Sequence, residues 1–271
     1  MAFNIIVCAK QVPDTNVIKI NPKTGTLIRD GVPSILNNDD ANALEQALQI
    51  KDKFDDVHVT VITMGPPQAN DLLFECIAKG ADEGILVSDR AVGGSDTWAT
   101  SNTLEAAVRK WVKENGPYDI IFTGRQAIDG DTAQVGPQIS EHLNLPVISY
   151  AEEIKVDEKA KTVEVKRQFE DRYHIVKAKM PCLVTALSEL NEPRYMTPGG
   201  IFDAFEKEVT VWGRADLKDV DDSNLGLKGS PTQIAKASDK VKKGQGEKVV
   251  LDSADEAVEY LMGKLVEKHI V

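Results

Sequence analysis

Cysteine is scarce in this chain: three in 271 residues, an odd number, far apart and never in a CxxC pair. That excludes a disulfide framework and offers no zinc spacing. Cys8, Cys76 and Cys182 each lie in an apolar stretch ("IIVCAK", "LLFECIA", "MPCLVTA") and read as buried free thiols in a reducing compartment. Long apolar runs are also lacking. The opening "MAFNIIVCAK" is too short for a signal peptide or a membrane span, so a cytoplasmic protein without membrane insertion is expected. Positive charge is in deficit, with 32 Lys and Arg against 43 Asp and Glu, a net charge of −11. A phosphate backbone rewards lysine and arginine, so a nucleic-acid partner is not expected.

What is present fits a globular protein: 42% hydrophobic and 28% charged residues, at a length near the point where single cores stop growing. Strand and helix patterns alternate through the first half. "FNIIVCA", "VHVTVITMG", "GILVSD" and "YDIIFTG" are apolar and mostly β-branched, as buried parallel strands are. A two-stranded excursion, "VIKI" then "TLIRDG", interrupts after the first. Between the strands run helical patterns: one to about residue 53 with Asp39 or Asp40 as cap, one ended by Gly80, and one capped by Asp96. Repeated strand–helix–strand units predict a doubly wound α/β fold with a parallel sheet, whose ligands bind beyond the carboxyl ends of the strands. The loops there are Cys8–Asp14, Asn37–Asp40, Met64–Pro67, Gly93–Thr97 and Gly124–Val135. After Pro146 the pattern changes to a charged hairpin, "TVEVKRQFE" and "RYHIVKAKM". From about 190 the texture turns irregular, and a last amphipathic helix carries Val258, Leu261, Met262 and Val266. The expected division is an α/β domain over 1–190 and an arm over 191–271, which lacks a core of its own and must pack on something.

The richest stretch is "GRQAIDGDTAQVGP", residues 124–137. At a strand end, Thr132 or Asp131 is expected to cap the next helix, whose free N–H groups favour anions. Asp129 and Asp131 flank Gly130, which permits close backbone approach. A carboxylate here suits ribose hydroxyls, and Gln134 offers both donor and acceptor. The alternative is plain turn and capping chemistry.

That stretch, "VCAKQVPD" at the start and "LNEPRYMTP" later together closely resemble the beta subunit of electron-transfer flavoproteins, over nearly the whole chain. The resemblance implies an adenine-nucleotide-binding type of fold, with a C-terminal arm embracing an alpha subunit. It places nucleotide contacts at Cys8, Ala9, Asn37, Asp40 and Met64, and along Gly124, Arg125, Gln126, Ala127, Asp129, Gly130, Asp131, Thr132, Gln134 and Val135. The AMP-binding branch typically reads "IDDD" followed by Cys-Asn-Gln. Here "IDGDTAQ", with the smaller Gly130 and Ala133, is similar to the electron-bifurcating branch, in which a second FAD replaces AMP. Asp96, Thr97 and Thr100 then become candidates for the flavin pyrophosphate, with capping as the alternative reading. The branch implies hydride from NADH, one electron to ferredoxin, and the other through the alpha-subunit FAD to an acyl-CoA or lactate-type dehydrogenase. "LSELNEPRYMTP" matches a docking loop whose exposed leucine is Leu190, with a leucine packed under its own loop as the alternative reading. No catalytic side chain is implied. The competing readings are an AMP-holding electron relay and a non-redox adenine-nucleotide module.

Overall fold

The computed structural model describes residues 3–14, 33–218, 220–232, 244 and 246–271. The excursion expected over "VIKI" and "TLIRDG" lies outside them. The chain runs β1 (Phe3–Cys8), β2 (Gln11–Pro13), β3 (Ser34–Leu36), α1 (Asn38–Lys53), β4 (Val57–Met64), α2 (Asn70–Lys79), β5 (Glu83–Val87), α3 (Thr97–Asn115), β6 (Ile120–Gly124) and α4 (Val135–His142). It continues through β7 (Val147–Asp157), β8 (Thr162–Gln168), β9 (Tyr173–Lys179), β10 (Cys182–Ala186), α5 (Pro198–Glu206), β11 (Thr210–Trp212) and α6 (Ala254–Glu267).

A nine-stranded sheet has the order β11-β5-β4-β1-β6-β10-β7-β8-β9. Its pairings are parallel from β11 to β7, and antiparallel where β8 and β9 extend it. The fold is the doubly wound α/β sheet, with the expected hairpin added at one end. Period-two alternation sorts β1 between two cores: Phe3, Ile5, Val7 and Ala9 join one, Ile6 and Cys8 the other. The first core takes Leu44, Ala47 and Leu48 of α1 and Leu73 and Cys76 of α2. The second takes Leu104, Ala107, Val108 and Trp111 of α3 and Ile139 of α4. Both faces are thus covered, which is why these strands are apolar throughout rather than alternating.

From β1 the chain steps outward to β4 and β5, then returns to lay β6 on the other side of β1. The winding reverses between β1 and β6, and sheets of this kind form their ligand crevice beyond the carboxyl ends of the strands at such a reversal.

Residues up to Ala237 form one compact unit and Ser238–Val271 a second. The division therefore falls further along than the change of texture near 190. Asn191 and Arg194 bond to α1, Ala204 of α5 packs with Ile77 and Ala78, and β11 extends the sheet beside β5. The second unit contains α6, capped by Ser253, whose hydroxyl accepts the Glu256 N–H at 3.2 Å. Its Val258, Leu261, Met262 and Val266 are solvent-exposed. Among the described residues no helix is long and apolar enough to cross a membrane.

Candidate functional site

The crevice is assembled around Asp40. Its carboxylate accepts the Gly124 N–H at 2.7 Å and the Lys10 N–H at 2.9 Å, joining the end of β6 to the residue after Ala9. Burial pushes this carboxyl up to about 7, against the pull of those two bonds and of the Asn37 amide. Gly124 is required here, because a Cβ would stand 2.5 Å from Asp40 Oδ1 and 2.7 Å from Asp40 N. Asp39 and Asp40 sit in the first turn of α1 rather than at its cap, which is Asn37 and makes no side-chain capping bond. The fully buried Asn37 instead reaches across to the loop after β6. Its amide donates to Gln126 O at 2.8 Å and accepts the Ile128 N–H at 3.0 Å.

Four further contacts shape that loop. Gly130 and Asp131 N–H groups both bond to Ala127 O. Gln126 donates to Asp131 Oδ1 at 3.0 Å, and Lys10 Nζ lies 2.6 Å from Asp129 Oδ1. Asp131 and Ala133 carry positive φ of 51° and 52°, the left-handed region that non-glycine residues occupy at a cost of about 1–3 kcal/mol. Gly130 does not, and a Cβ there would meet nothing within 4 Å. Its smallness leaves open space, while the unusual backbone falls on its neighbours.

Neither Asp131 nor Thr132 caps α4. Its cap is Gln134, again without a side-chain capping bond, since Gln134 Oε1 accepts from Thr97 Oγ1 at 3.0 Å. In the first turn of α4 Val135 and Gly136 carry N–H groups that the Gln134 side chain does not cap, and Pro137 has none. Gly136 brings that turn onto the sheet, as a Cβ would stand 2.6 Å from Thr123 Oγ1.

Bonds thus link Asn37 and Asp40 to Gly124, Gln126 and Ile128, Lys10 to Asp129, Gln126 to Asp131, and separately Thr97 to Gln134, while Ala9 donates its N–H to Ile62 O. Thr100 is held in α3 by its N–H bond to Asp96 O. Asp96 is a cap and a tie: one oxygen accepts from Ala99 N at 3.0 Å, the other from Thr232 N at 2.9 Å. Burial raises its carboxyl, but these bonds outweigh that and hold it below the usual range. Met64 ends β4 half-buried against the second core. Cys8 is buried, and desolvation aided by the Asp40 charge raises its thiol to about 12. Leu190 does not stand exposed: it is partly buried against the first core. The exposed apolar side chains of its segment are Tyr195 and Met196.

Lys10 and Gly136 are not among the residues that the sequence singles out. Lys10 had a signal, a lysine directly after the first strand. Asp39 Oδ2 and Arg125 Nε are 3.5 Å apart, both buried and without a hydrogen-bond partner.

The sequence model of the electron transfer flavoprotein domain matches residues 24–217. The chain belongs to the electron transfer flavoprotein family. It is 54% identical to the electron transfer flavoprotein subunit beta of Clostridium acetobutylicum and 53% to subunit CarD of the caffeyl-CoA reductase-Etf complex of Acetobacterium woodii. Each alignment covers 99% of this chain and 100% of the relative. Protein FixA of Azotobacter vinelandii is 47% identical over 85% of this chain and 82% of its own. The chain is thus an electron-transfer subunit of the beta type.

The crevice fits a nucleotide on its own chemistry. It offers an uncapped helix start for phosphate, the Asp129 carboxylate and Gln134 amide for hydroxyls or a base, and open space beside Gly130.

Proposed function

We propose that this chain is the beta subunit of a heterodimeric electron-transfer flavoprotein and that its crevice holds FAD in a bifurcating system. A flavin bound there supplies two-electron acceptance from NADH and one-electron release, toward ferredoxin and, through the alpha-subunit FAD, toward a partner dehydrogenase. The chain's own residues bind and orient. Asp129 and Gln134 take hydroxyl groups, the α4 start takes phosphate, and Asn37 and Asp40 hold the loop in shape. No side chain acts as acid or base.

The observation that carries this reading is the preformed 124–135 loop, tied to α1 and to Lys10, with open space at Gly130. The names of relatives support an acyl-CoA type of dehydrogenase partner: CarD, and the acryloyl-CoA reductase electron transfer subunit gamma of Anaerotignum propionicum, 47% identical. A docking role for the segment around Leu190 joins this proposal. Leu190→Ala should impair delivery to the dehydrogenase while NADH-dependent flavin reduction persists, and joint loss of both would mark a structural role.

One observation favours AMP instead. The start of α3, the candidate for a flavin pyrophosphate, is occupied by its Asp96 cap, while the starts of α1 and α4 carry no side-chain cap. Quantifying nucleotides released from the denatured heterodimer decides. Two FAD and no AMP support the proposal; one FAD with one AMP overturns it.

A further inference from the structure

We propose that Lys10 is the cation that receives a phosphate of the nucleotide, with Asp129 as its resting partner. The proposal rests on the reading of the crevice as a nucleotide site. Lys10 has an anchored backbone and a partly exposed side chain. Its N–H is held by Asp40 Oδ2 and its carbonyl by the Asn37 N–H at 3.0 Å, fixing the backbone where the winding reverses. The side chain is 43% exposed, against 5% for Asp129. An ammonium group has three donors on a flexible stem, whereas Asp129 stays with its loop.

Charge makes such a cation necessary. Asp39, Asp40, Asp129 and Asp131 border the crevice against Lys10 and Arg125, and Arg125 Nε lies buried toward Asp39. A phosphate entering this acidic surround needs a positive group able to turn to it. If the ammonium passes from Asp129 to phosphate, the freed carboxylate accepts ribose hydroxyls, and neither charge is left unpaired. Lys10 then discriminates nucleotides from nucleosides.

The test is calorimetric titration of the nucleotide-stripped heterodimer with ADP and with adenosine. The wild type should bind ADP more tightly than adenosine. Lys10→Met should weaken ADP about tenfold and leave adenosine within about twofold, while Lys10→Arg keeps most of the ADP affinity. Both variants retain the backbone N–H that Asp40 needs. Equal losses for both ligands, or no loss for ADP, overturn the proposal and leave the site reading standing. A wild type that binds neither ligand overturns the site reading and the proposal with it.

Discussion

At the scale of single residues, two glycines of the same loop have opposite duties. At Gly124 a Cβ meets backbone and carboxylate atoms that cannot move without parting α1 from β6; at Gly130 it meets nothing. Gly124→Ala is expected to cost about 1–3 kcal/mol and to release the nucleotide. Gly130→Ala should stay within about 0.5 kcal/mol of wild type. Urea melts and nucleotide content check both. Asp40 gives a pH signature of unusual sign for a carboxyl. Desolvation raises its folded pKa from 3.8 to about 7, so the native state holds a proton that the unfolded chain has lost. Stability from this group is present at low pH and declines as pH rises to about 7, then levels. Melting temperatures of wild type and Asp40→Asn should therefore move apart in the variant's favour between pH 5.5 and 7, a window chosen as roughly the upper half of that range. A parallel pair of curves would contradict this. The sequence shows the loop's composition plainly, yet not these roles. That Asn37 bonds to Gln126 and Ile128 depends on separations of 89 and 91 residues, which no local pattern records.

At the scale of elements, the motif "NEPRYMTP" has a structural reason beside any docking role. Arg194 makes a forked pair with buried Glu45 at 2.8 and 3.0 Å and reaches Asp52 at 2.7 Å. Asn42 and Asn191 exchange bonds in both directions. Helix α1 is thus pinned on its outer side by the segment after β10, and at its start by the site. Arg194→Ala leaves Glu45 buried without its partner and should lower stability by about 2 kcal/mol, read by denaturant titration, with nucleotide content little changed. The strands through β6, α2 ended by Gly80 and α3 capped by Asp96 were legible because period and cap agree. Helix α5 was not, since "PGGIFDAFE" opens on Pro198 and two glycines, which read locally as a turn. Its reason is tertiary: Gly200 lies so close to α2 that a Cβ would stand 2.2 Å from Ala78 O, and Thr197 caps it by accepting the Gly200 N–H. The cap of α4 was misread for a similar cause. Asp131 is already engaged by Gln126, in a left-handed backbone that period and propensity do not reveal.

At the scale of the whole molecule, the α/β class followed from alternation alone. The extent of the first unit did not, because β11 and α5 are tied to distant elements rather than to their neighbours in sequence. The reversal of winding between β1 and β6 also sets an order in time. The two strands are joined by contacts such as the bond from Asn4 N to Asp119, 115 residues apart. Closing so long a loop costs entropy before any pairing repays it, and parallel sheets with distant partners fold slowly for that reason. The crevice exists only once this closure is made, so its ligand meets the chain after the folding barrier. Nucleotide should slow unfolding in denaturant while leaving the refolding rate unchanged; faster refolding with nucleotide would show that the crevice forms earlier. For a cell making this chain, cofactor supply then governs how long each molecule lasts rather than how quickly it is made.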